Sequence, residues 1–124
     1  MREKNFTTED GFTFEPGKSY FMKYKRTIMR HVYEKEGDWY RVERVTSKTK
    51  EVTGYVNDNQ LASRYNYFKH LGGGKIECRE MTADEIKQSN ADYNTWEEME
   101  NQKREEKRKA YAKKNGINGL NRLY

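Results

Sequence analysis

Basic side chains interleaved with aromatics are the strongest chemical signal in the sequence. Lys18, Tyr20, Lys23, Tyr24, Lys25, Arg26, Arg30, Tyr33, Arg41 and Arg44 follow one another over three short segments. Cations of this kind bind phosphate oxygens and neighbouring tyrosines can stack on bases, so the chemistry they could do is recognition of nucleic acid. The same pattern also fits a solvated sheet exterior with its tyrosines half in the core. A second basic element holds Lys103, Arg104, Lys107, Arg108, Lys109, Lys113 and Lys114. On a helix, Arg104, Lys107, Arg108 and Tyr111 fall at i, i+3, i+4 and i+7, one stripe about 10 Å long that could lie along a phosphate backbone. Pairs at i, i+4, Glu100 with Arg104 and Glu105 with Lys109, would spend part of that charge on the helix itself.

Other candidate chemistries are weaker. Gly72-Gly73-Gly74-Lys75 suggests a phosphate loop, but the spacing G-x-x-x-x-G-K-[ST] is absent and a strand, not a helix, follows. Cys78 is the single cysteine and sits in an alternating segment with Ile76 and Glu80 on its face, which suits a buried structural thiol. His31 and His70 have no partner at metal-ligand spacing, and Glu97-Glu98 and Glu105-Glu106 diverge around a helix. The expectation is a non-enzymatic protein with no catalytic residues, cofactor or metal.

The elements that must carry these residues follow from charge blocks and periodicity. Residues 18–50 hold ten basic residues against four acids (net +6), residues 82–102 one lysine against six acids (−5), and residues 103–124 eight basic residues against two acids (+6). That sorting predicts a change of architecture near Thr82. Before it, short runs rich in Val, Tyr, Phe and Thr are broken by turn signals at Pro16-Gly17, Glu36-Gly37-Asp38 and Ser47 to Lys50, as in a small antiparallel β-barrel. In Trp39 to Val45, apolar residues alternate with charged ones, the pattern of a strand with one face in water. Over Asn59 to His70, Tyr65 and Tyr67 alternate as in a strand, but Leu61, Tyr65 and Phe68 fall at i, i+4 and i+7, which favours a short helix near 59–70, capped by Asp58 and ended by a left-handed Gly72. A strand over Lys75 to Met81 follows.

From Thr82 the pattern is helical. Thr82-Ala83-Asp84-Glu85 and Thr95-Trp96-Glu97-Glu98 both have capping-box spacing, so two helices are expected, broken between Gln88 and Asn94, with Gly116 stopping the second. The acids at the start and bases at the end of that second helix suit the helix dipole. Ile117, Leu120, Leu123 and Tyr124 form an apolar tail expected to dock on the barrel or on a partner.

The segment around Gly37-Asp38-Trp39-Tyr40 and Thr53-Gly54-Tyr55-Val56-Asn57-Asp58-Asn59-Gln60-Leu61 resembles Src-homology-3 domains and their bacterial relatives over about residues 12–61. Phe14-Glu15-Pro16-Gly17 is similar to the approach to their second strand, Asp38-Trp39-Tyr40 to the tryptophan pair opening the third, and Gly54-Tyr55-Val56 to the segment leading into their one-turn 3₁₀ helix. The resemblance implies a small barrel; joined to the helices read from periodicity and capping, the expected chain is α+β, a barrel over 1–81 with a helix near 59–70, then a charged helical extension over 82–124. It also implies that Trp39 can face a ligand. The proline and tyrosine that wall the family's peptide groove are replaced here by Asn57 and Gln60, with only Asn59 of that set kept, which argues against proline-rich peptides.

Composition bounds the class. In 124 residues, 36% are charged and 33% hydrophobic, and the aromatic stock of ten Tyr, five Phe and two Trp suits a shallow core. A large enzyme with a deep site is excluded, and no apolar run is long enough to span a membrane. Lone Cys78 and the absence of a leader-like N-terminus point to a cytoplasmic protein. The leading expectation is binding of nucleic acid or a nucleoprotein through Lys23, Lys25, Arg26, Arg30, Arg41, Arg44, Arg104, Lys107, Arg108 and Tyr111. The alternative is a phage-type or mobile-element protein that binds and blocks or redirects a host enzyme through Trp39, Tyr55 and Trp96. Its acidic segment Asp84 to Glu100 would then imitate nucleic acid. A third possibility is a structural subunit that swaps its helical arm through Ile86, Tyr93, Trp96 and Met99.

Overall fold

The structure, a computed structural model, describes residues 5–114. Two compact units divide the chain, Met1–Asp92 and Tyr93–Tyr124. The first holds a two-stranded ribbon, β1 (Phe6–Thr7) with β2 (Thr13–Phe14), and a five-stranded antiparallel sheet of β3 (Tyr20–Tyr24), β4 (Thr27–Glu34), β5 (Trp39–Val45), β6 (Lys50–Val56) and β7 (Glu77–Glu80). A 3₁₀ turn (Asp58–Gln60) and helix α1 (Leu61–Leu71) join β6 to β7, and helix α2 (Ala83–Lys114) follows. The expected α+β class with a long C-terminal helix is present. The barrel is not closed: the sheet order is β6-β5-β4-β3-β7, so β6 and β7 are open edges that do not pair with each other.

Strand alternation and helix periodicity build the core on one sheet face. Tyr20 and Met22 of β3, Met29 of β4, and Tyr40 and Val42 of β5 meet Leu61, Tyr65 and Phe68 of α1. The buried tyrosines keep their hydroxyls bonded, as a tyrosine-rich core requires. Glu15 N donates to Tyr20 Oη at 2.6 Å, Gly17 N donates to Tyr40 Oη at 3.1 Å, and Tyr65 Oη donates to Asp10 Oδ2 at 2.6 Å.

The opposite face overturns the expectation for β5. Arg41 and Glu43 alternate with Tyr40 and Val42 as expected, yet they are buried, 3% and 2% exposed, rather than in water. The first turns of α2 cover them, which explains why the sheet can stay open with both faces packed. Residues up to Asp92 therefore belong to the first unit, while the change from strands to helix falls between Glu80 and Ala83.

Two expected helices are one. The capping box at Thr82 forms, with Glu85 N donating to Thr82 Oγ1 at 3.1 Å and Thr82 N donating to Glu85 Oε1 at 2.9 Å. The one at Thr95 lies inside continuous helix. Of the side chains expected to compete with the backbone between Gln88 and Asn94, Asn90 and Asp92 are occupied elsewhere, and the buried Ser89 hydroxyl has no hydrogen-bond partner among the described residues. Asn90 and Asp92 accept hydrogen bonds from Arg41 and Arg30, and Ser89 is fully buried.

The end of α1 also differs from expectation and explains three consecutive glycines. Gly72 has φ −84°, so it is not left-handed; Gly73 and Gly74, at φ +72° and +92°, are. Gly74 N donates to Lys69 O and Gly73 N to His70 O, a Schellman cap. A Cβ on Gly72 would overlap the Lys75 carbonyl and sit 3.1 Å from Tyr24 Cβ, so its bare backbone lets Lys75 close against β3. At the helix start Asn57, not Asp58, is the cap residue of the 3₁₀ turn, its N–H donating to Gln60 Oε1 at 2.7 Å. Gly116 and the apolar tail lie outside the described residues.

Candidate functional site

The structure sorts the expected cationic residues by what they already hold. Arg41 donates from Nε to Glu43 (2.9 Å), from Nη1 to Glu34 (2.7 Å) and from Nη2 to Asn90 (2.8 Å). Arg30 Nη2 lies 2.9 Å from Glu43 and 3.2 Å from Asp92. Burial acts to raise the Asp92 carboxyl, but hydrogen bonds from Gln88 and Arg30 and the charges of Lys50 and Arg30 outweigh it and hold the carboxyl low. Arg30 and Arg41 are thus internal ties between sheet and helix rather than surface groups, a correction to their expected place on a binding face. Arg44 is exposed but bound to Glu51 across the hairpin.

Lys23, Lys25 and Arg26 remain. Lys25 and Arg26 form the two-residue turn between β3 and β4, both exposed, with Lys25 at φ +53°. Lys75, which follows the glycine cap, comes to the same place, and Lys23, Lys25, Lys75, Ile76 and Glu77 line an open concavity of about 280 Å³. Nothing in the local sequence pattern links Lys75 to Lys23. The link is made by antiparallel pairing of β7 with β3, in which Lys23 faces Glu77. The three glycine amides beside it are no phosphate cradle, because all of them donate to carbonyls of α1.

Within the second unit, Arg104, Lys107, Arg108 and Tyr111 are all exposed on the continuous helix. The expected i, i+4 pairs are replaced by i, i+3 pairs: Glu100 with Lys103 at 3.6 Å and Glu105 with Arg108 at 2.6 Å. Arg108 holds the Glu105 carboxyl below its usual range, first through its hydrogen bond and then through its charge. Arg104 bonds Asn101. Trp96 is half-buried and stacked with Tyr93, centroids 6.2 Å apart.

The other expected partner residues form a pair. Trp39 and Tyr55, 42% and 44% exposed, place their rings 5.5 Å apart across β5 and β6, and Trp39 lies over Gly37, where a Cβ would strike its indole. The acidic segment is partly used internally, since Glu85 pairs with Arg79 at 2.7 Å and Asp92 with Arg30. Arg79 first, then the Thr82 amide, pull the Glu85 carboxyl down to about 2.

Two groups read as structural from the sequence are enclosed. His31 is fully buried and accepts a hydrogen bond at Nε2 from Arg64 Nε at 3.1 Å. Burial, then the Arg64 charge, push its imidazole down to about 3, against the backbone carbonyls of Met29 and Tyr20. Burial pushes the Cys78 thiol up to about 12, with a smaller contribution from Asp10, so it is a poor nucleophile. Among the described residues no three His, Cys, Asp or Glu side chains group as metal ligands, and no helix is long and apolar enough to cross a membrane. No protein family model, curated protein or solved structure matches the chain.

Proposed function

We propose that this is a non-enzymatic binding protein that contacts nucleic acid or a nucleoprotein through exposed cations. One observation carries it: α2 runs unbroken through residues 103–111, so Arg104, Lys107, Arg108 and Tyr111 form a continuous exposed stripe. Cations on such a rod can follow a phosphate backbone, which makes affinity depend steeply on salt through counterion release. The test is fluorescence anisotropy with labelled RNA and DNA of mixed sequence at rising salt, comparing the protein with its R104E/K107E/R108E variant. Affinity should fall linearly on a log–log salt plot and be lost in the variant. Salt-independent binding, or an unaffected variant, would sink the idea.

A second function is favoured by the exposed Trp39–Tyr55 pair, since two adjacent aromatics at the surface suit a protein partner. For this one, a specific protein would stay bound after nuclease treatment and be released by Trp39→Ala. We also propose that residues 12–61 descend from a Src-homology-3-like segment. In support, the one-turn 3₁₀ helix Asp58–Gln60 falls directly after Gly54-Tyr55-Val56, where the resemblance implies it.

A further inference from the structure

We propose that the concavity between the β3–β4 turn and the glycine cap of α1 is a phosphate site for the phosphodiester backbone of a nucleic acid, with Lys23, Lys25 and Lys75 as its cations. This rests on the nucleic-acid function above and adds to it a site on the first unit.

Pairing and convergence together single the site out: Arg26, Lys35, Lys48, Arg64 and Lys87 also lack a carboxylate partner among the described residues, but none of them lines the concavity. In the first unit, Lys18, Arg30, Arg41, Arg44, Lys50, Lys69 and Arg79 each lie within 4 Å of a carboxylate. Among the described residues no carboxylate ties Lys23, Lys25 or Lys75, and the three converge on one concavity. Its single acid, Glu77, has Arg79 Nε at 3.8 Å. Three ammonium groups against one carboxylate, itself beside a cation, leave net positive charge in an open groove.

Two local features support a function beyond folding. The turn places Lys25 at φ +53°, a left-handed conformation that glycine or asparagine adopts at less cost, so a cation stands there at a backbone penalty of about 1 kcal/mol. The missing side chain of Gly72 is what lets the Lys75 backbone close against Tyr24 and so brings Lys75 beside the turn.

The same geometry selects the ligand class. The glycine amides are taken by the helix cap, so a compact terminal phosphate would find no backbone cradle here. Flexible ammonium groups along an open groove instead match an extended diester, read by charge rather than by sequence.

The test compares the wild-type protein, K23Q/K25Q/K75Q and the equal-charge control K35Q/K48Q/K87Q, which removes three exposed lysines elsewhere. Binding to a labelled 20-base-pair duplex is measured by anisotropy across a salt series, with circular dichroism confirming that each variant is folded. Each lysine contacting phosphate contributes about 0.9 to the log–log salt slope, so the site variant should lose about 2 to 3 in slope and the control far less. Inorganic pyrophosphate at matched ionic strength should not compete. Equal effects in the two variants, or an unchanged site variant, overturn the site while leaving the function standing. Competition by pyrophosphate overturns the choice of a diester. Absence of any binding by the wild-type protein overturns the function and the site together.

Discussion

His31 makes a pH-dependent contribution to stability that can be worked out from its surroundings. The ring is fully buried on β4 and accepts from Arg64, so protonating it would place two cations 3.1 Å apart in a dry setting. Its pKa falls from 6.5 to about 3 on folding. Because the folded value lies below the unfolded one, acid is taken up first by the unfolded chain. The stability that neutral His31 provides is complete above pH 6.5 and is lost as pH falls toward 3. One pKa unit corresponds to about 1.4 kcal/mol, so the loss is about 2 kcal/mol between pH 7 and pH 5 and about 4 kcal/mol at pH 3. Carboxylates with lowered values, such as Glu85, start from unfolded values near 4.5 and act mainly below pH 5, which leaves the upper window to histidine. Urea unfolding at pH 7 and pH 5 should show this loss in the wild-type protein. His31→Gln, which can still accept from Arg64 but does not titrate, should be less stable at pH 7 yet lose about 2 kcal/mol less on acidification. Equal pH dependence in the two proteins would refute the reasoning.

Two further outcomes follow from the packing. Arg41→Met takes one of the two guanidinium partners from the buried Glu43 carboxylate, which keeps Arg30, and should cost about 2–3 kcal/mol in urea unfolding, with part of it recovered in R41M/E43L. Gly73→Ala, at φ +72°, should cost about 1–2 kcal/mol in thermal melts, and Gly72→Ala more, because its methyl would overlap the Lys75 carbonyl.

Elements whose pattern depends on one face were legible in the sequence. Leu61, Tyr65 and Phe68 at helical spacing located α1, and Thr82-x-x-Glu85 located the start of α2. What failed were inferences that needed the second layer. Alternation in β5 assigned Arg41 and Glu43 to water, because one-face periodicity does not say whether a helix lies over the polar face. The break expected between Gln88 and Asn94 failed for the same reason: Asn90 and Asp92, which could end a helix in water, continue it when Arg41 and Arg30 take their acceptors. In the candidate site, the cations of the β3–β4 turn were visible. Lys75 was not, since its approach depends on the pairing of β7 with β3 and on Gly72.

The ionic layer bears directly on how the charge of this chain should be interpreted. With hydrophobic residues at 33%, the apolar side chains are concentrated where α1 meets the sheet, and the opposite face is closed in good part by Arg30, Arg41, Glu34, Glu43, Asn90 and Asp92. Such a layer gives little net stability over apolar packing, but its directional bonds fix the register of helix on sheet where an apolar face would let it slide. Its members are drawn from the +6 block of residues 18–50 and from the −5 block, so part of each is spent internally. Mimicry of nucleic acid by the acidic segment loses Glu85 and Asp92 to internal partners, while no carboxylate among the described residues ties Lys23, Lys25 or Lys75. Charge that remains after pairing, rather than charge along the sequence, is what a partner meets, and in the first unit that remainder favours an anion at the β3–β4 turn.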